Sequence, residues 1–214
     1  MADRLAASTA SDLKALTPFF RAEVLFLQEK PEEALSLLET AKTDNPDFAF
    51  HAANRFNAHD KLDQALSRYL ALVDKYPDKR LIFANIAEVY LAKDKKAEAL
   101  SYAKKAWEAD QDDGLAMYIY AKMLAASGQY QDAEKALRIP NRKVELSSTI
   151  TELWTDIMTH CVREDLENGV YQRALDRARH YLTLFPEDAA FLELKSRAEQ
   201  ERKKAQDSRE SGQP

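Results

Sequence analysis

The sequence predicts an all-α protein, an α-solenoid of about five helical hairpins in tandem closed by a C-terminal capping helix. Three observations point there. The 214 residues are rich in helix formers and hold only four glycines. A phrase with the outline of a turn and second helix occurs twice, as GQYQDAEKALRIP from Gly128 and GVYQRALDRARHYLTLFP from Gly169. An alanine recurs at one register along the chain, at Ala34, Ala65, Ala99, Ala133 and Ala174. Strand signals are nearly absent: there is no long alternation of Val, Ile and Thr, and no Asn-Gly hairpin turn.

The spacings of the alanine ladder are 31, 34, 34 and 41 residues. Other positions keep the same register. Twelve residues before each ladder alanine stand Ala22, Ala53, Ala87, Ala121 and, in the fifth unit, Val162. Nine before it come Leu25, Phe56, Tyr90 and Leu124; four after it come Leu38, Tyr69, Ala103, Leu137 and Ala178. Twelve after it come Pro46, Pro77 and Pro186, with Gln111 in the third unit. Antiparallel helices approach closely only where side chains are small, and the alanines mark that crossing. Proline ends a helix because it lacks an N–H and clashes with the preceding turn.

In chain order, residues 1–14 read as a short leading helix or N-terminal segment. Helix pairs follow at about 17–29 with 31–43, 47–58 with 61–74, 78–92 with 96–109, and 113–127 with 130–138, so four units fill residues 15–138. Pro140 then arrives seven residues after Ala133 and cuts the fourth unit short. Residues 139–148 read as an insertion: either a spacer that re-aims the fifth hairpin, or a loop that contributes to partner binding or to a dimer contact. A fifth unit fills 149–186, with helices at about 149–167 and 171–184. Its first helix has Ser148 or Thr149 as expected N-cap, Glu152 as capping-box partner, and one apolar stripe of Trp154, Ile157, Met158 and Cys161. A capping helix over 187–207 covers the last repeat with Ala190, Phe191 and Leu194 and is charged in its second half. Residues 208–214 read as a disordered tail.

A period near 34 with small residues at the helix crossing and a closing proline resembles the tetratricopeptide repeat family, over roughly residues 15–186. The family's tryptophan position is held by Pro18, Ala49, Phe83 and Met117, so no subfamily is assigned. The resemblance implies a right-handed superhelix whose first helices line a concave groove. In this sequence the groove positions are Phe19, Glu23 and Phe26 in the first unit, Phe50, Asn54 and Asn57 in the second, and Glu88 in the third. Tyr118 and Lys122 follow in the fourth and Arg163 in the fifth. It also implies a non-enzymatic scaffold or adaptor that binds a protein or peptide, the aromatics gripping apolar side chains and the asparagines an extended backbone. Members that clamp the acidic C-termini of heat-shock chaperones use a Lys and an Asn where this chain has Phe19 and Glu23, and a Lys and an Arg where it has Ala84 and Glu88, so that clamp is missing. A self-assembling module, binding another copy by groove or convex face, is the alternative.

Charge and chemistry agree with a binding role. The net charge of −5 argues against a nucleic-acid surface. No apolar run is long enough to cross a bilayer, since Arg21 and Glu23 break FFRAEVLFLQEK. The single cysteine and the absence of a signal peptide point to the cytoplasm; a piece of a longer periplasmic or membrane-tethered protein would read the same way. The histidines His51, His59, His160 and His180 lack metal-ligand spacing, no glycine belongs to a phosphate-cradling loop, and no nucleophile motif occurs. No catalytic, metal or cofactor site is expected, and Cys161 reads as a core residue.

Overall fold

The structure is a computed structural model that describes residues 16–76, 78–137 and 147–210. The described residues are helical and contain no strand. The helices are α1 (16–27), α2 (Pro31–Thr40), α3 (Pro46–Ala58), α4 (Leu62–Leu72), α5 (Lys79–Ala92), α6 (Lys96–Ala109), α7 (Gly114–Ala126), α8 (Tyr130–Ala136), α9 (Ser148–Glu167), α10 (Tyr171–Leu184) and α11 (Ala189–Glu210). They fall into two compact units, Met1–Ile119 and Tyr120–Pro214, with the division inside α7.

Two kinds of junction alternate along the chain. Within each hairpin the first helix ends in the same turn. The residue five before the ladder alanine is left-handed every time: Glu29, Asp60, Asp94, Gly128 and Gly169 have φ of 59°, 59°, 55°, 77° and 71°. The N–H of the next residue reaches back to the carbonyl nine before the ladder alanine, as from Lys30 to Leu25 at 2.9 Å, Lys95 to Tyr90 at 2.9 Å and Val170 to Asp165 at 2.8 Å. The left-handed residue itself donates to the carbonyl three back, as Glu29 to Phe26 and Gly169 to Leu166. This paired pattern is the Schellman motif, which satisfies the last carbonyls of a helix. The turn feeds straight into the second helix, whose preceding residue (Lys30, Lys61, Lys95, Gln129 or Val170) supplies no side-chain cap. The glycine of the twice-written phrase is therefore the cheapest occupant of a position that is left-handed in all five hairpins.

Between hairpins the chain is stopped and restarted by side chains. Asn45 accepts from the N–H of Asp47 at 2.9 Å, Asp78 from Leu81 at 3.2 Å, Asp113 from Ala116 at 2.8 Å and Asp188 from Phe191 at 3.1 Å. Ser147 caps α9 through Ile150 N–H at 3.4 Å, one residue earlier than the Ser148 or Thr149 expected from the capping-box pattern. Each cap removes one unpaired donor of the first turn.

The first unit packs α3 on α4, α4 on α5 and α5 on α6. In the second unit α9 meets α8 and α10, and α11 lies on α10 and α9. All five ladder alanines, and Ala22, Ala53, Ala87, Ala121 and Val162 of the partner position, have no exposed surface. Trp154, Ile157, Met158 and Cys161 are buried as one stripe of α9. Burial pushes the Cys161 thiol up to about 12, so it stays protonated. Along α11, Phe191 and Leu194 are buried as expected and Phe191 stacks on Tyr181, whereas Ala190 faces solvent and Ala198 takes the third buried place. α11 continues to Glu210, past the expected start of the tail at 208. The segment 1–14, most of the insertion 139–148, the prolines Pro77 and Pro140, and the last four residues lie outside the described residues.

Candidate functional site

In the first unit, α1 and α3 run side by side and present a common face. Phe19, placed in the expected groove by register, is instead 3% exposed: it packs edge-on against Phe48 at 5.3 Å and forms the back wall of a cleft. Its neighbour Phe20 is 59% exposed and meets the same Phe48 ring at 5.7 Å. The cleft, of about 310 Å³, is lined by Phe19, Phe20, Glu23, Asp47, Phe48 and His51.

Beside it the polar groups are locked together. Glu23 Oε1 receives His51 Nε2 at 2.8 Å and Arg55 Nε at 2.9 Å, and its second oxygen receives Arg55 Nη2. Burial acts to raise the Glu23 carboxyl, but the hydrogen bonds from Arg55 and His51 outweigh it and hold it below its usual value. Arg55 also lies over the Phe26 ring at 4.6 Å, and Phe26 stacks on His59 at 5.1 Å. Glu23 and Phe26 are thus parts of an ordered wall whose other members, His51, Arg55 and His59, lie one helix away.

The remaining groove positions are placed as follows. Phe50 is half-buried against Tyr76 at 4.9 Å and Tyr69 at 5.9 Å. Asn54 accepts a 2.6 Å hydrogen bond from the buried Tyr69 hydroxyl, whose ionisation burial opposes. Asn57, Glu88 and Tyr118 are half-buried in the same unit. Lys122, half-buried, and Arg163, exposed, belong to the second unit. Register counting missed Phe20, Phe48, His51 and Arg55. A signal was present: the 31-residue spacing makes Asn54 the counterpart of Glu23, and His51 and Arg55 flank it at one helical turn and one residue.

The second unit holds a cluster that the sequence reading also missed. Asp165 occupies the position nine before the ladder alanine, where the other units carry Leu25, Phe56, Tyr90 and Leu124, and it has no exposed surface. Arg173 Nε donates to it at 2.8 Å and Arg177 Nη1 at 2.5 Å. Arg177 also donates to Glu134 of α8, through Nη2 at 2.6 Å and Nε at 3.2 Å. Two carboxylates and two guanidiniums leave the group neutral, which is what makes a buried charge tolerable. The cluster ties the seven-residue α8 to α9 and α10. It is a structural element rather than a binding site, because its one fully buried carboxylate is already paired.

Among the described residues no group of His, Cys, Asp and Glu is arranged to hold a metal ion, and no helix is long and apolar enough to cross a membrane. No protein-family model matches the sequence, and no curated protein matches it. Solved structures do match in shape. A tetratricopeptide repeat protein from Parabacteroides merdae superposes with a TM-score of 0.61 at 14% identity, over 89% of this chain and 74% of that one. YrrB, described as a TPR protein with an unusual peptide-binding site, gives 0.58 at 17% identity, over 92% and 98% of the two chains. MamA from Desulfovibrio magneticus RS-1 gives 0.57 at 14% identity, over 82% and 97%. With its alanine ladder buried, its five Schellman turns in register and these likenesses in shape, the chain has the tetratricopeptide-repeat fold.

Proposed function

We propose that the chain is a non-enzymatic protein-interaction scaffold that holds a peptide or protein partner on the face of its first helices, centred on the α1–α3 cleft. The observation that carries this is the pairing of an open aromatic cleft with a wall that is already ordered. Phe20 projects at its edge, while Glu23, His51, Arg55 and Phe26 are fixed by one another before any partner arrives. A preorganised wall loses little side-chain entropy on binding. The likeness to YrrB supports the reading, since that protein is described by a peptide-binding site.

A random-peptide library displayed against the whole chain tests it. Enriched peptides should bind the native chain and weaken by about tenfold or more for Phe20→Asp and for His51→Ala, a loss of hot-spot size. No enrichment, or binders indifferent to both substitutions, overturns it.

A further inference from the structure

The first helix carries more exposed large hydrophobic side chains than any other described helix. Among the seven large hydrophobic side chains exposed in the described residues, three are on α1: Phe20 at 59%, Val24 at 51% and Leu27 at 85%. Their spacing, i, i+4 and i+7, puts them in one stripe about 10 Å long, two turns of helix. The stripe runs on from the cleft, because Phe20 belongs to both. A contiguous exposed apolar stripe on an otherwise amphipathic fold marks an interaction surface.

Charge says what covers it. Residues 16–61, from α1 through α3 and its turn, hold five Lys and Arg against eight Asp and Glu, a net of −3 out of −5 for the whole chain. Glu23 is answered by Arg55, Glu33 by Lys30 at 3.8 Å and Glu32 by Lys61 at 3.6 Å, while Asp47 on the cleft rim is exposed and accepts a hydrogen bond from Tyr76. We infer that this surface docks a basic amphipathic helix of another protein, its apolar side chains meeting Phe20, Val24 and Leu27 and its lysines or arginines set against the acidic first hairpin. The inference rests on the α1–α3 reading above and names the partner's chemistry. Two helices meeting along an i, i+4, i+7 stripe is a common mode of peptide recognition. A second copy would bring a net −3 against −3, and an anionic lipid surface would be repelled likewise. Residues 1–15 of this chain carry no net charge, two acidic against two basic, and so lack the complement.

Two synthetic helical peptides test this, alike in their leucine stripe and flanked in one by lysines and in the other by glutamates. Binding to the whole chain is followed by fluorescence anisotropy. The lysine peptide should bind at least about tenfold more tightly than the glutamate peptide, and more weakly as salt rises, because these charges are exposed. Phe20→Asp and Leu27→Asp should each weaken it about tenfold, while Leu192→Ser, at an exposed leucine of α11, leaves it unchanged; circular dichroism checks that each variant is folded. Equal binding of the two peptides, or no binding of the lysine peptide, overturns the inference. So does a chain whose mass doubles with concentration unless Phe20 is replaced, which would make the occupant a second copy. If the display selection yields cleft-dependent binders without basic residues, the interaction reading stands and this inference falls.

Discussion

Replacing Asp165 separates the cost of a buried charge from the benefit of its partners. Asp165 has no exposed surface and takes two guanidiniums. Its bond to Arg173 contributes little, because that side chain is 46% exposed and screened by water, so about 0–1 kcal/mol is assigned to it. Arg177 is 12% exposed, and burial that would lower its basicity is outweighed by Glu134 and Asp165. Removing one member of such a pair costs about 3–5 kcal/mol. Arg177 keeps Glu134 after Asp165→Ala, so the low end, about 3 kcal/mol, is expected, or about 6–12 °C in melting temperature for a chain of this size. The assay is urea unfolding followed by Trp154 fluorescence in a Trp107→Phe background, which confines the signal to the second unit. A triple variant, Glu134→Met, Asp165→Leu and Arg177→Met, removes every deeply placed charge and restores the apolar residue found at this register in the other units. It should recover to within about 1 kcal/mol of the native chain, since buried ion groups replaced by hydrophobic ones are often neutral or better. A single-variant loss under about 1 kcal/mol, or a triple variant no better than the single one, would show that Asp165 is not a buried charge held by its partners.

Other expectations follow from the turns, the core and the α1–α3 wall. Glu29 is left-handed at φ 59° with a side chain that tolerates this poorly, so Glu29→Gly should raise stability by about 0.5–1 kcal/mol, the relief of about 1–2 less the entropy cost of glycine. Gly128→Ala, whose added Cβ meets nothing within 4 Å, should lose about 0.5–1 kcal/mol, the same backbone strain of about 1–2 less the unfolded-chain entropy that alanine removes; a gain in stability in chemical denaturation would contradict the shared turn. Native Cys161 should resist iodoacetamide at pH 8 and react once urea unfolds the chain, as mass spectrometry would show; rapid native alkylation would put the thiol at the surface. The Glu23 carboxyl is held below its ordinary value of 4.5, so its contribution is fully present above that pH and is lost as pH falls through the folded value. The stability difference between the native chain and Glu23→Gln, about 1 kcal/mol near neutrality, should therefore shrink in acid; a difference that grows in acid would reverse the sign assigned here.

The register of the hairpins was legible because it follows from local rules. An alanine at the crossing is small whatever surrounds it, and a helix end needs its carbonyls answered, so Ala34 through Ala174 and the Gly128 and Gly169 turns could be aligned from the chain alone. The left-handed residues at Glu29, Asp60 and Asp94 were harder to read, because glutamate does not announce that conformation and aspartate does so only weakly, while the hydrogen bonds from Lys30, Lys61 and Lys95 impose it. Phe19 shows where a consensus register stops deciding: a ring on the inner side of α1 faces the groove or the core according to what α3 offers, and Phe48 draws it inward. Asp165 marks the same limit from the other side. Its sequence position is that of a core hydrophobe, and only the arrival of Arg173 and Arg177 from α10 makes an acid acceptable there, with Glu134 of α8 balancing the second guanidinium. Short-range periodicity thus determined the fold class and the hairpin phase. Which aromatic stays in water, which carboxylate is buried and which charges face a partner were decided by tertiary packing, because each depends on groups about 8 to 43 residues away meeting across helices.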